Sequence, residues 1–233
     1  MSRHYLVVDD NLEFAENVAE IIRETGAVVD VVGDGRAALE RVVRTRYDAV
    51  VTDMRMPGLT GAELVHEVRA VDPGVPIILV SAYSADAQLQ AAKYDGVLAV
   101  LSKPSQVPRL LELLTVARRD GMVALVEDDP GLVENLEDLL ASRGMTVCSA
   151  ATVSDVDHLA VRPFLALVDL KVPGGEAGAA LERVRTRFPE TPRLVISAYA
   201  DELKCAEECV RKPFDSRQLL RRIESLYEAR HPA

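Results

Sequence analysis

An excess of positive charge is the first thing this sequence lacks: 27 lysines and arginines face 37 aspartates and glutamates, a formal net charge of -10. Phosphate backbones and anionic membranes attract proteins through clustered positive fields, so neither nucleic acid nor a membrane surface is an expected partner. Long apolar runs are lacking too. The N-terminus MSRHYLVVDD reaches acidic residues after one short apolar stretch, neither a signal peptide nor a bilayer span, and a cytoplasmic location is the expectation. Cysteine is sparse: Cys148, Cys205 and Cys209 are odd in number and lack C-x-x-C spacing, which suits a reducing compartment and excludes a zinc or dithiol motif. The four histidines, His4, His66, His158 and His231, have no metal-ligand spacing, and none reads as a phosphohistidine donor. Gly33-Asp34-Gly35 lacks the Walker or dinucleotide spacing and reads as a turn into a helix.

What is present is a folded composition, 48% hydrophobic and 27% charged over 233 residues, more than the ~100 to 150 residues of one typical domain. YLVVDDNLEFAENVAEIIRETG aligns with VALVEDDPGLVENLEDLLASRG at a constant offset of 118 positions, Asn17 on Asn135 and Gly26 on Gly144 (135 − 17, 144 − 26). This is an internal duplication. Each copy opens on a short continuous apolar run, the pattern of a strand buried on both faces, and passes into a segment of helical period. Phe14, Val18, Ile21 and Ile22 share one helical face in the first copy, as do Leu132, Leu136, Leu139 and Leu140 in the second. Gly26 and Gly144 then stop the helices.

The first copy continues with AVVDVV, a helix from about Ala37 to Arg46, DAVVTD, and a helix from about Ala62 to Ala70. PIILVS, a helical stretch from about Asp86 to Lys93, VLAVLSKP and a run from Gln106 to Arg119 complete it. The second copy supplies VALVED, MTVCSA, LALVDL, RLVISA and a short CVRKP, ending in a helix from about Ser216 to Arg230. Strands alternating with helices predict an α/β fold, a parallel sheet covered on both sides, in each of two domains, 1–120 and 121–233. No Ser- or Pro-rich tether lies between them, so a fixed relative angle is expected. Arg118-Arg119 and Arg221-Arg222 fall near helix ends and read as solvated cations favoured by the helix dipole.

An open parallel sheet binds ligands beyond the carboxyl ends of its strands, at the switch point. In the flavodoxin-like order 2-1-3-4-5 the first and third strands are neighbours, so Asp9, Asp10 and Asp53 converge, as do Glu127, Asp128 and Asp169. Three carboxylates together call for a cation, and oxygen ligation suits Mg2+. Ser81 and Ser197 end the fourth strands, and Lys103 and Lys212 the fifth. A carboxylate, a metal position, a hydroxyl and a lysine on one rim are what an incoming phosphoryl group requires. The aspartate is the nucleophile and an acyl phosphate the product.

VVDD, DMRMPGLTG, SAY and LSKP, followed by VEDD, DLKVPGG, SAY and RKPF, resemble two successive receiver domains of two-component response regulators. The resemblance covers essentially the whole chain. It implies that Asp53 and Asp169 accept phosphoryl groups and that Asp10 and Asp128 ligate magnesium directly. Asp9 and Glu127 would act through water, and the backbone carbonyls of Arg55 and Lys171 would complete the set. Ser81 and Ser197 would close on the phosphoryl oxygens, and Lys103 and Lys212 would pair with them. It further implies a histidine kinase or histidine phosphotransfer protein as donor and an unidentified protein as target. Homodimerisation through the helix-four and strand-five face is common in that family. A hydrolase using the same aspartate lacks its general acid, since Met54-Arg55 and Leu170-Lys171 follow the nucleophiles.

Two departures stand out. Val100 and Cys209 occupy the position of the family's switching aromatic, a role Tyr83 and Tyr199 are placed to share. Ser81 to Lys103 spans 22 positions but Ser197 to Lys212 only 15 (103 − 81, 212 − 197), so helix four of the second copy is expected to be shortened or missing. That loss raises the alternative of a constitutive scaffold or dimerisation adaptor whose second receiver is not phosphorylated. A receiver pair cut from a larger hybrid kinase or regulator is the other alternative. Only a few residues follow the last helix, so no DNA-binding, cyclase or kinase domain is expected there.

Overall fold

A computed structural model describes residues 2–81, 87–103, 106–159, 162–198 and 208–231. In the first copy the chain runs β1 (His4–Val8), α1 (Leu12–Arg23), β2 (Val28–Val32), α2 (Gly35–Arg44), β3 (Ala49–Asp53) and α3 (Gly61–Val71). It continues through β4 (Ile77–Ser81), α4 (Ala87–Asp95), β5 (Ala99–Ser102) and α5 (Val107–Val116). The five strands are all parallel, in the order β2-β1-β3-β4-β5. Alternate residues of the central strands feed opposite cores, as strand geometry requires. Leu6, Val50 and Leu79 pack with Ala38, Val65 and Val68 on one face. Tyr5, Val7, Val51 and Ile78 pack with Val18, Ile22, Leu110 and Leu113 on the other.

The second copy repeats the plan with β6 (Met122–Val126), α6 (Pro130–Ala141), β7 (Thr146–Ala150), β8 (Leu165–Asp169), α7 (Ala179–Arg187), β9 (Arg193–Ser197), β10 (Glu208–Arg211) and α8 (Ser216–Arg230). Its parallel sheet has the order β7-β6-β8-β9-β10, the same winding as the first. Where the first copy has α2, the second has only a 3₁₀ turn, Ser154–His158. The cause is local: SDVDH sets a serine and two aspartates, which compete with the helix for backbone hydrogen bonds, against the alanines, leucine and glutamate of the first copy's GRAALERVVR. The expected change at helix four falls at residues 199–207, outside the described residues. Among the described residues no helix is long and apolar enough to cross a membrane.

α5 ends at Val116 rather than near Arg119 because the next residues form a joint. Arg118 N donates to the Gly144 carbonyl at 2.9 Å, and Asp120 N to the Gly74 carbonyl at 2.9 Å. The Arg119 guanidinium grips both Asp72 carboxylate oxygens, at 2.6 and 2.8 Å, and also donates to the Tyr47 carbonyl. Tyr227 of α8 reaches back to donate its hydroxyl to the Arg119 carbonyl at 2.7 Å. The arginines expected to be solvated therefore tie the linker to both copies, and the fixed angle follows from these bonds. Arg222 instead pairs with exposed Glu208.

The two sheets meet at their edges. Val147 N of β7 donates to the Val97 carbonyl, just ahead of β5, in a single antiparallel bridge with N···O 3.4 Å. Ala141 of α6 sinks into the first copy's core beside α5, and Tyr94 of α4 packs on the second copy's core. Gly144 lies at this seam with φ +73°, and a β-carbon there would lie 1.8 Å from the Val116 carbonyl oxygen. Gly144→Ala is expected to cost about 3 kcal/mol, roughly a 6–12 °C drop in melting temperature for a chain of this size. Scanning calorimetry checks it, and an unchanged transition would show that the seam does not need this close approach.

Candidate functional site

Each acid is placed by strand register. β1 pairs with β3, Val8 opposite Thr52, so Asp9 and Asp10 leave β1 beside Asp53 at the end of β3. β6 pairs with β8, Val126 opposite Val168, and brings Glu127 and Asp128 to Asp169 in the same way. Within each trio the carboxylates offer oxygens that all lie within 4.8 Å of one another. Asp9 and Asp53 are buried and Asp10 is exposed; Glu127 and Asp169 are buried and Asp128 is exposed. Two acids thus form the floor of each pocket and one its solvent-facing rim.

The lysines enter from the neighbouring strand ends. Lys103 N donates to the Ser81 carbonyl at 2.8 Å, and Lys212 N to the Ser197 carbonyl at 2.9 Å, fixing hydroxyl and lysine side by side. Ser81 and Ser197 are both buried, as the last residues of β4 and β9. The Lys103 ammonium sits 2.8 Å from Asp9 Oδ2 and 3.1 Å from Asp53 Oδ1. Lys212 repeats this at 2.6 Å from Glu127 Oε2 and 2.5 Å from Asp169 Oδ2.

One ammonium against three carboxylates leaves two formal negative charges in each pocket. The titration directions reflect burial first and the neighbouring charges second. Burial pushes the Asp53 carboxyl above its usual range, with Asp9 adding to the push, and the Lys103 bond offsets only part of it. Burial likewise raises Glu127 against the pull of Lys212. Burial pulls each lysine down, but hydrogen bonds to two acids outweigh it and hold both above the ordinary lysine value. The missing charge is that of one divalent cation, and a set made wholly of carboxylate oxygens fits a hard cation such as magnesium.

The loops after the nucleophile candidates are closed by glycine. Gly61 N donates to the Met54 carbonyl at 2.9 Å, and a β-carbon at Gly61 would lie 2.2 Å from the Asp53 carbonyl oxygen. The DMRMPGLTG stretch therefore needs its last glycine so that α3 can abut the Asp53 backbone. In the second copy Gly178 N donates to the Leu170 carbonyl at 2.8 Å, with the loop one residue longer. Arg55 and Lys171 are exposed two positions past the aspartates, and Lys171 N donates to Asp169 Oδ1 at 3.1 Å.

Sequence reasoning missed Phe14, whose ring lies 4.9 Å from the Lys103 ammonium. Phe14 shares one helical face with Val18 and Ile22 and packs on the core, and Leu132 stands at the matching second-copy position, so only the comparison of the copies marks it. Val100 and Cys209, at the expected aromatic position, are half-buried against the cores. Tyr83 and Tyr199 lie outside the described residues.

Comparison with known proteins agrees with this geometry. The family model for the response regulator receiver domain matches residues 5–115 and again 123–224. A response regulator receiver protein of Anaeromyxobacter sp. strain Fw109-5 is 48% identical over 230 residues, 98% of this chain and 97% of that protein. The DNA-binding response regulator MtrA of Mycobacterium leprae is 30% identical over 164 residues, 70% of this chain and 68% of its own. Among solved structures, the receiver domain of sensor histidine kinase PA1611 from Pseudomonas aeruginosa PAO1, with magnesium coordinated in its active site cleft, is 30% identical. It covers 49% of this chain and 96% of that one, with a TM-score of 0.44. With two family matches that together span most of its length, the chain belongs to the response regulator receiver family of two-component signalling, as two receiver domains in tandem.

Proposed function

We propose that the chain is a phosphoryl acceptor on Asp53, and on Asp169, supplied by a histidine kinase or histidine phosphotransfer protein. The observation that carries this reading is the paired pocket: a buried aspartate, two further acids and a lysine that bridges two of them, built twice. In the transfer, an Asp53 carboxylate oxygen forms the new P–O bond as the bond from phosphorus to the donor atom breaks. The donor keeps that bond's electron pair. Lys103 neutralises charge on the transferred group, and Ser81, on the neighbouring strand end, donates its hydroxyl to a phosphoryl oxygen. Asp9, Asp10 and Asp53 with the Arg55 carbonyl would hold magnesium, and Glu127, Asp128 and Asp169 with the Lys171 carbonyl would do so in the second receiver. The ion would supply the neutralising charge that lets an anionic donor approach an anionic nucleophile.

The protein is then a signalling module rather than a turnover enzyme, and its output passes through cytosolic protein contacts. The charge of -10 supports that output over direct binding to nucleic acid. In a second reading only Asp53 is phosphorylated and the second receiver serves as a docked adaptor. The longer loop after Asp169 and the shorter Ser197–Lys212 interval favour it.

Incubation with magnesium and acetyl phosphate, followed by intact-protein mass measurement, separates the readings. Two added phosphoryl groups on the wild type, one on Asp53→Asn or Asp169→Asn and none on the double variant support the first. A single group lost only with Asp53→Asn supports the second, and no added group on the wild type overturns both.

A second prediction concerns pH. Because burial holds the Asp53 carboxyl above its unfolded value, its protonated form favours the fold at low pH, and that contribution is lost as pH rises through the folded pKa. At pH 7 the ionised group carries a cost. Asp53→Asn is therefore expected to raise the metal-free melting temperature at pH 7 by about 2 °C or more. The gain should vanish as pH falls through ~3.9, the ordinary aspartate value. Thermal denaturation across that range checks both the size and the direction.

A further inference from the structure

The duplicated sheets make an internal comparison possible. β2 and β7 are the same strand in the two copies, at the same edge of the same winding. β2 leaves that edge open, with Val28 50% exposed, whereas every residue of β7 is buried. What covers β7 is the first receiver: α4 and the start of β5 lie against it. Lys93 of α4 reaches Glu137 of α6 at 2.8 Å, and Ser149 of β7 donates to the other oxygen of Glu137 at 3.1 Å. Tyr94 packs on the second core and comes within 5.6 Å, ring to ring, of His158.

This contact is a wedge. It is tight at Val97 and Val147 and opens into a cleft of about 690 Å3 toward the carboxyl ends of the strands. Ser81 and Ser102 line the first receiver's side, and Glu127, Asp128 and Glu134 line the second's. The ends of β4 and β5, which bring Ser81 and Lys103 to the Asp53 pocket, thus border the cleft, and its far wall is acidic.

We propose that the α6–β7 face of the second receiver is a built-in partner for the α4–β5 edge of the first, and that phosphorylation of Asp53 loosens it. The inference rests on the phosphoacceptor reading above. An aspartyl phosphate adds negative charge at the end of β3, next to the β4 end that borders the acidic cleft, and draws Ser81 and Lys103 toward itself at the ends of β4 and β5. Both changes act on the strands and helix that hold β7. While the contact is closed, this edge is withheld from any second copy or target.

Hydrogen–deuterium exchange on the whole chain tests this, with and without acetyl phosphate and magnesium. Strand β3 serves as the control for global folding, and intact mass reports phosphorylation in the same samples. The expected result is about a tenfold or greater rise in exchange at Thr146–Ala150 on phosphorylation, absent in Asp53→Asn, with β3 still protected. Tyr94→Ala, which removes a seam contact outside the phosphorylation pocket, should raise exchange at β7 without phosphodonor. Asp53 phosphorylated with β7 exchange unchanged overturns the inference and leaves the phosphoacceptor reading standing. No phosphorylation of the wild type overturns both.

Discussion

One lysine ammonium held between two buried carboxylates, at the end of a parallel sheet, is the interaction on which each half of the molecule turns. Lys103 and Lys212 each cross from the fifth strand to the first and third, so a single side chain ties together three strand ends. The sheet winding brings the acids together, and the lysine makes their proximity tolerable. It does so incompletely. Burial, with a smaller push from the neighbouring acid, keeps the Asp53 and Glu127 carboxyls above their usual values, and the residual negative charge is the physical reason for expecting a divalent cation. A pocket fully satisfied by its own side chains would have no use for one.

The same logic explains how much of the molecule was legible in its sequence. The apolar runs ending in VVDD, VTD, VED and VDL fixed both the strands and the acids, because a strand buried on both faces must be continuous in its hydrophobicity and must end where water or a site begins. The one constant offset between Asn17 and Asn135, and between Gly26 and Gly144, exposed the duplication. Less legible was whatever depended on one copy touching the other. Arg118 and Arg119 look like ordinary helix-end cations because Asp72, Gly144 and Tyr227, their neighbours in space, are far away in sequence. Tyr94 lies one residue past the helical stretch expected to end near Lys93, and nothing local marks it as packing on the other copy's core. The 3₁₀ turn at Ser154–His158 was legible in principle, from a segment poor in helix formers, but the parallel with the first copy's α2 masked it.

The joint between the receivers is built from backbone as much as from side chains. Arg118 N, Asp120 N and the Arg119 carbonyl are all engaged, and the close approach at Gly144 leaves no space for a side chain. A linker whose own peptide groups are spent on both neighbours transmits orientation rather than merely connecting. The relative placement of the two acid pockets is therefore a property of the chain and not of a tether's average.

Because the two sheets touch through unlike edges, the molecule has a direction. The leading receiver presents its fifth strand and the trailing receiver its second, so every residue of β7 is buried while β2 meets water. The halves have ceased to be interchangeable. Exchanging their order along the chain would set the solvated β2 surface against β10, without the Lys93–Glu137 pair and the Tyr94 packing that now hold the halves together.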